Sequence, residues 1–342
     1  MANATSRPEA PVFRSTESCI LYGLEATHGV PVTPSIYSDR VTKGRIYAHP
    51  NVQTRRHVGG RVDRRGGIIR AGMDGLDLEV QTPAFIRHAI RSVDGSVGGT
   101  WSASGRVPSL SILAGNAGAD ALLLWGAVID SLDLSQEYSE DGEVLKASVT
   151  LLALGGDISG TTGFVGGALP DPVLFGWQSA VALTGPVTPP GGLRVREWKL
   201  GIKNNHKYMS YGDLQPASRG LGASGLVSLR EAYELKAGEE EIELELSVEV
   251  PVIWNAALQD DFLAACYTPG TLAFAATYEQ CGAAVDVLYV EAANLVAAPD
   301  QGFEYEYDAE GANGDPVHVY SFRAVKADPT LPSVRILAAA PV

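Results

Sequence analysis

The chain has 342 residues, 45% hydrophobic and 19% charged, with a formal net charge of −14. This is a globular composition, long enough for two domains of ordinary size, and it excludes a disordered polymer. So acidic a protein does not hold a phosphate backbone across its whole surface.

The charge is uneven. Residues 1–170 hold 15 Lys+Arg against 17 Asp+Glu, and residues 171–342 hold 11 against 23. The exception is local: between Arg40 and Arg70 lie Lys43, Arg45, Arg55, Arg56, Arg61, Arg64 and Arg65 against Asp63 alone. No apolar run approaches the roughly 20 residues of a membrane span, and Met1 to Pro11 does not read as a secretory signal. Cys19, Cys266 and Cys281 lack ligand-like spacing and read as thiols in a reducing compartment.

Residues 1–18 read as a flexible arm. Ile46-Tyr47-Ala48 and Ile68-Ile69 read as the bases of two strands joined by a polar excursion from Pro50 to Gly67. A loop that long in a compact domain is usually functional or disordered. Leu76 to Val80 alternates as a strand, and Thr82 then caps a helix with Pro83 at its first position. Phe85, Ile86, Ala89, Ile90 and Val93 supply the helix's apolar face, and Pro108 to Leu113 returns as a strand. Leu122 to Ile129 is a buried strand or two, Ser131 to Ser135 alternates, and Val144 to Leu154 closes a hairpin through Asp141-Gly142.

Gly155 to Pro172 is rich in Gly, Thr and Pro and marks a boundary. The expected division is a module at 19–158, a linker at 159–172 and a second module at 173–342. The second half repeats the first in pattern, with Trp198 to Asn205 as a strand and a clearer block from Ala223 to Gln280. Its centre is Glu241 to Val250, strictly period two: Ile242, Leu244, Leu246, Val248 and Val250 on one face, Glu241, Glu243, Glu245, Ser247 and Glu249 on the other. Trp254, Leu258, Phe262 and Ala265 give a second short helix, and Thr271 to Tyr278 a strand. Further β-segments fall around 285–290, 303–307, 317–325 and 334–338. The fold expected is mainly β: two tandem β-sandwich modules, each with one flanking α-helix, and a long loop in the first.

No motif of catalysis stands out. There is no Gly-x-Ser-x-Gly element and no His or Cys pair at metal-ligand spacing. Gly220 to Gly225 matches Gly-x-Gly-x-x-Gly in letters but precedes a strand-like run, which fails the dinucleotide context. Asp300, Glu304, Glu306, Asp308 and Glu310 could attract Ca²⁺ but read as a solvated strand face. No enzyme activity, cofactor or metal is expected. The arginines Arg55, Arg56, Arg61, Arg64 and Arg65 have three readings. They dock on an acidic face of a neighbouring copy, such as that of Glu239, Glu240, Glu241, Glu243 and Glu245, glutamates whose other reading is the lining of a lumen; they are merely solvated; or they bind nucleic acid. The last lacks the interleaved aromatics that stacking uses.

Three stretches carry a resemblance. Gly23-Leu24-Glu25 leads into Gly29-Val30-Pro31 and Thr33-Pro34; Trp125 to Ser135 reads Trp-Gly-Ala-Val-Ile-Asp-Ser-Leu-Asp-Leu-Ser; and the strand from Trp198 ends in Asn204-Asn205. Together with the order of elements, they resemble the major tail tube proteins of long-tailed, non-contractile bacteriophages. The resemblance implies a virion structural protein made in the host cytoplasm, with sheets joined edge to edge into rings and rings stacked into a hollow tube. It implies an acidic lumen that passes double-stranded DNA without sequence-specific binding, and a long loop that joins stacked rings. Implied partners are other copies of the chain, a tape measure protein inside the tube, and tail terminator and baseplate proteins; no membrane is involved. Simpler members have one sandwich; with two, three subunits make a pseudo-sixfold ring if both halves enter it, the favoured reading, and six are needed if the second half decorates the exterior. The alternative is a capsid, head–tail joining or baseplate-hub protein on a related sandwich, which forms discrete rings rather than filaments. A carbohydrate-active β-protein would need an aromatic-lined cleft with paired carboxylates, which the sequence does not offer.

Overall fold

The structure, a computed structural model, describes residues 18–56, 62–91, 106–116, 121–139, 143–159, 173–184, 194–209, 234–249, 272–279, 286–297, 305–306, 317–324 and 334–338. It is mainly β. The strands of the first half are β1 (Ser18–Leu24), β2 (Ile36–Tyr37), β3 (Arg40–Arg56), β4 (Val62–Glu79), β5 (Leu110–Asn116), β6 (Ala121–Glu137), β7 (Lys146–Ala153) and β8 (Gly155–Ser159). Those of the second are β9 (Ser179–Thr184), β10 (Arg194–Lys203), β11 (Lys207–Met209), β12 (Glu234–Lys236), β13 (Glu241–Glu249), β14 (Leu272–Glu279), β15 (Asp286–Ala297), β16 (Tyr305–Glu306), β17 (Val317–Ala324) and β18 (Val334–Leu337). Sixteen belong to one antiparallel sheet, and β11 pairs with β12 alone.

β13 forms as its alternation dictates. Ile242, Leu244, Leu246 and Val248 are buried, while Glu241 is exposed and Glu243 and Glu245 are half-buried on the opposite face. The pieces expected around Leu122 to Ser135 are one strand, β6, that serves two parts of the sheet. Its first part pairs β5 and β8, and its second pairs β7 and β10. The change of partners falls at Gly126, whose φ of +58° is costly for other residues. A Cβ there would also lie 2.7 Å from the Leu154 side chain.

Two paths of pairing run through the sheet. The first half follows β1–β5–β6–β7–β4–β3 and the second β9–β14–β15–β17–β13–β10. Two of the register shifts fall at matching places, one of them between Leu110 and Ile112 on β5 and between Leu272 and Phe274 on β14. The other falls between Val41 and Lys43 on β3 and between Val195 and Glu197 on β10. The third strand of each path has its left-handed residue, Gly126 at +58° and Asn294 at +56°. The paths join across the expected linker, because Ser131 to Glu137 of β6 pairs with Lys203 to Glu197 of β10.

The core runs through both halves. Trp198 on β10 meets Phe274 on β14 at 5.4 Å between ring centroids, although β13, β17 and β15 separate those strands within the sheet. The second half therefore curls over its own apolar face. Buried polar ends are satisfied across the same gap: Tyr278 Oη donates to Gln136 Oε1 at 3.1 Å, and Trp198 Nε1 donates to Tyr138 Oη at 3.3 Å.

The first expected helix is corrected. Thr82 Oγ1 does accept the Ala84 amide at 3.3 Å, but Ile86–Ala89 is one 3-10 turn and Ile90 is already extended. Phe85, Ile86, His88, Ala89, Ile90 and Arg91 are all buried, so the segment is enclosed rather than laid on the sheet by one stripe. With Ala84 and Arg87 alone partly exposed after Thr82, burial reaches well beyond the single stripe of an amphipathic α-helix. The second expected helix, the strand near Leu226 and the linker 160–172 lie outside the described residues. Among the described residues no helix is long and apolar enough to cross a membrane.

Candidate assembly surface

The basic excursion is a continuation of β3 and β4, not a loop. Gln53 pairs with Arg65, Thr54 with Arg64, Arg55 with Asp63 and Arg56 with Val62. Arg61 lies outside the described residues. β4 gains its second neighbour, β7, only from Ala71 onward. Among the described residues, the hairpin beyond His49 and Arg70 pairs with no third strand and forms a two-stranded arm. At about 3.3 Å per residue, the stretch from His49 to Arg56 reaches roughly 25 Å from the body of the sheet.

The acidic face is not one surface. Glu241, Glu243 and Glu245 alternate outward on β13, but basic side chains on the neighbouring strands cross to them. Lys203 Nζ reaches Glu243 at 3.5 Å, Arg323 Nη2 reaches the same carboxylate at 3.1 Å, and Lys199 Nζ reaches Glu245 at 3.4 Å. Glu197 holds the Lys199 ammonium above the usual lysine range, chiefly by a hydrogen bond. Such exposed pairs are worth under about 1 kcal/mol each, yet they make the stripe an interleaved ladder. Beside it Gly201 leaves a trough of about 480 Å³ lined by Asp77, Asp133, Ser148 and Lys146 among others. Burial holds the Asp133 carboxyl above its ordinary range.

Glu240 points the other way. It is buried, with Oε1 4.0 Å from Arg91 Nε. Glu239 contributes its backbone carbonyl, which accepts from Asn205 Nδ2 at 2.8 Å. These two belong to a joint between the halves that the sequence reading did not assemble. Arg91 Nε donates to Asn204 Oδ1 at 3.1 Å, and Arg91 Nη2 donates to the carbonyls of Asn204 at 3.3 Å and Gly238 at 2.9 Å. Asn204 Nδ2 donates to the carbonyls of Ala89 at 2.9 Å and Ile129 at 3.1 Å. Asp130 Oδ1 accepts from the His206 amide at 2.6 Å, and Tyr208 Oη donates to the Ala71 carbonyl at 2.7 Å. Arg91, Ala89, Ile129, Asp130 and Ala71 come from the first half, the rest from the second. The available signal was Asn204-Asn205, since Asn205 has a φ of +52° that asparagine tolerates better than most residues.

Two of the other quoted stretches also meet. Glu25 is buried and accepts from the Gly29 amide at 2.8 Å, from Ser111 Oγ at 2.7 Å and from the Gly126 amide at 2.8 Å. Gly23-Leu24-Glu25 and Trp125-Gly126 are thus parts of one buried anchor. Among the described residues no group of three or more His, Cys, Asp or Glu could hold a metal ion. Of the acidic run 300–310 only Tyr305–Glu306 is described, as a strand.

No family model matches the chain, and no curated protein is significantly similar to it in sequence.

Proposed function

We propose that the chain is a structural tail tube protein of a long-tailed bacteriophage, made of two tandem β-modules that build rings by self-association. The observation that carries this reading is the repeated strand path together with its internal joint. Each half contributes six strands in the same order, with two of the register shifts and a left-handed residue at the same steps, while the shifts at Met73/Leu76 and Ile129/Ser131 belong to the first half alone. Sequence agrees at one further place: Pro31-Val32-Thr33-Pro34 recurs letter for letter as Pro186-Val187-Thr188-Pro189, shortly before β3 and β10 respectively.

A repeat joined to its twin by a sheet edge is half of an assembly rule. The first module receives β10 of the second along β6. The second module offers the corresponding place to whatever presents a strand like β10, and another copy's first module does so with β3. A contact of this head-to-tail kind closes into a ring if its rotation closes. If both modules enter the ring, three copies make a pseudo-sixfold one. The β3–β4 arm supplies the reach needed between stacked rings. A net charge of −14 per copy makes the stack repel a duplex rather than hold it, which suits a conduit for double-stranded DNA. The tape measure, terminator and baseplate proteins complete the expected partners, and the role involves no turnover.

The test is negative-stain electron microscopy of the purified protein with native mass spectrometry of its smallest closed species. Hollow filaments built from three-copy rings are expected. A monomer at every concentration tried overturns the reading; discrete rings without filaments move it to the head–tail joining class.

A further inference from the structure

We infer that β3 of one copy pairs with β16 of a neighbouring copy in a register that sets Ile46 opposite Tyr305 and Arg45 opposite Glu306. The inference rests on the assembly reading above and adds the residues of the joint and its strength. The internal joint gives the template. Lys199 on β10 lies between Glu245 of β13 and Ser135 of β6. On β3 the same step is Arg45, which lies opposite Asp74 of β4. The two strands are aligned by Arg40 opposite Glu79 and Arg194 opposite Glu249, and Arg45 follows Arg40 by as many residues as Lys199 follows Arg194.

The receiving side is fixed in the same way. Ser135 lies opposite Lys146 of β7, and Lys146 lies opposite Glu79 of β4. In the second half Val317 of β17 lies opposite Glu249, and the residue opposite Val317 is Glu306. Carrying Lys199 opposite Ser135 into the next joint therefore places Arg45 opposite Glu306, and Leu200 opposite Leu134 becomes Ile46 opposite Tyr305. Among the described residues β3 pairs only with β4 and β16 only with β17, so each has an edge to offer. Arg40, Thr42, Lys43, Gly44 and Arg45 are exposed, as an uncovered edge requires.

The two joints differ in one respect. Asn204, which follows β10 and anchors the internal joint through Arg91 and two carbonyls, corresponds to Pro50. Proline has no side-chain donor and no amide hydrogen. The joint between copies thus keeps the strand ladder and gains an opposite-charge pair, but lacks the buried polar lock. It is the reversible, salt-sensitive version of a contact that is permanent within the chain.

The experiment is sedimentation velocity across a concentration series, at low and high salt, on the full chain and on Arg45→Glu, Glu306→Arg and the double variant. Circular dichroism melts serve as the folding control. Each reversal raises the concentration of half-assembly roughly tenfold at low salt, since attraction across the strands becomes repulsion. The double variant returns close to the parent, and high salt shrinks the differences. Arg45→Gln gives a smaller shift in the same direction without new repulsion, so the test survives a reversal that disturbs folding. Single reversals that assemble like a ring-forming parent overturn this register while leaving the tube reading standing. A parent that stays monomeric overturns both.

Discussion

β10 and β3 end the same strand path in the two halves, yet they solve opposite problems. β10 is a central strand with β6 on one side and β13 on the other, and its Trp198 is completely buried against Phe274. β3 has one partner in the described chain, and at the step of Trp198 it carries Gly44, where an added Cβ would lie 3.0 Å from Leu76 Cδ1. After β10 comes Asn204 and a buried polar lock, whereas at the same step β3 has Pro50 and runs on into the arm. One backbone pathway serves as a finished interior joint in one half and as a projecting, chargeable edge in the other. The side chains, not the topology, set which it becomes.

The sharpest break of that comparison is Trp198→Ala. It removes the largest buried side chain of β10 and should cost about 4 kcal/mol, read as a fall in the urea midpoint. Gly44→Ala at the matching step should cost only about 1 kcal/mol, because a single Leu76 rotamer must yield. Equal losses at the two positions would mean that the halves share one packing scheme.

Asn204→Ala comes next. It takes the side-chain acceptor from Arg91 Nε, whose Nη2 keeps its two backbone carbonyls, and leaves the Ala89 and Ile129 carbonyls without their donor, around a fully buried Asn204. A loss of about 3 kcal/mol is expected for breaking a buried ionic network. Pro50→Ala should leave the melting temperature of the unassembled chain nearly unchanged. A mild Asn204 variant would show that strand pairing alone holds the halves together.

The smallest effect concerns pH. Asp39, just before β3, is buried and accepts the Gln81 amide at 2.9 Å and the Thr82 amide at 3.0 Å. Burial pushes its carboxyl up to about 6, against the opposing pull of those two amides. The fold therefore favours the neutral acid. That contribution is complete below the unfolded value of 3.8 and is lost as pH rises through about 6. Asp39→Asn keeps an acceptor without the charge. Its stability advantage over the parent should grow from near zero at low pH to about 2 kcal/mol at neutral pH, within the limit set by two pKa units. His88, lowered to about 4 by burial, adds stability above its unfolded value that is lost as pH falls. It titrates alike in both proteins and cancels in the difference. A pH-independent difference would place the Asp39 charge in water.

Local pattern was legible wherever a strand has one wet face. Ile242, Leu244, Leu246 and Val248 pointed inward as their alternation required, and the hairpin of β6 and β7 fell where Asp141-Gly142 announced it. Apolar spacing suggested an α-helix at the 3-10 turn of Ile86 because it cannot distinguish a stripe against a sheet from a segment buried over most of its surface. The acidic face was half legible. Period two placed Glu241, Glu243 and Glu245 outward, but grouping Glu240 with them was wrong, since it is buried beside Arg91, and nothing local says that Lys199, Lys203 and Arg323 stand on the adjoining strands.

What the sequence determined alone was therefore a mainly β chain with a weak twofold pattern, one strongly alternating acidic strand and one basic excursion. These depend on neighbours within a few residues, where side-chain periodicity acts directly on the backbone. What only the tertiary structure decided was the pairing of β6 with β10 across the Gly-rich boundary, the lock around Asn204 and the edge of β3 left unpaired among the described residues. Strand partners are chosen by burial and hydrogen bonding between segments far apart in the chain, and a residue's own neighbours do not record that choice.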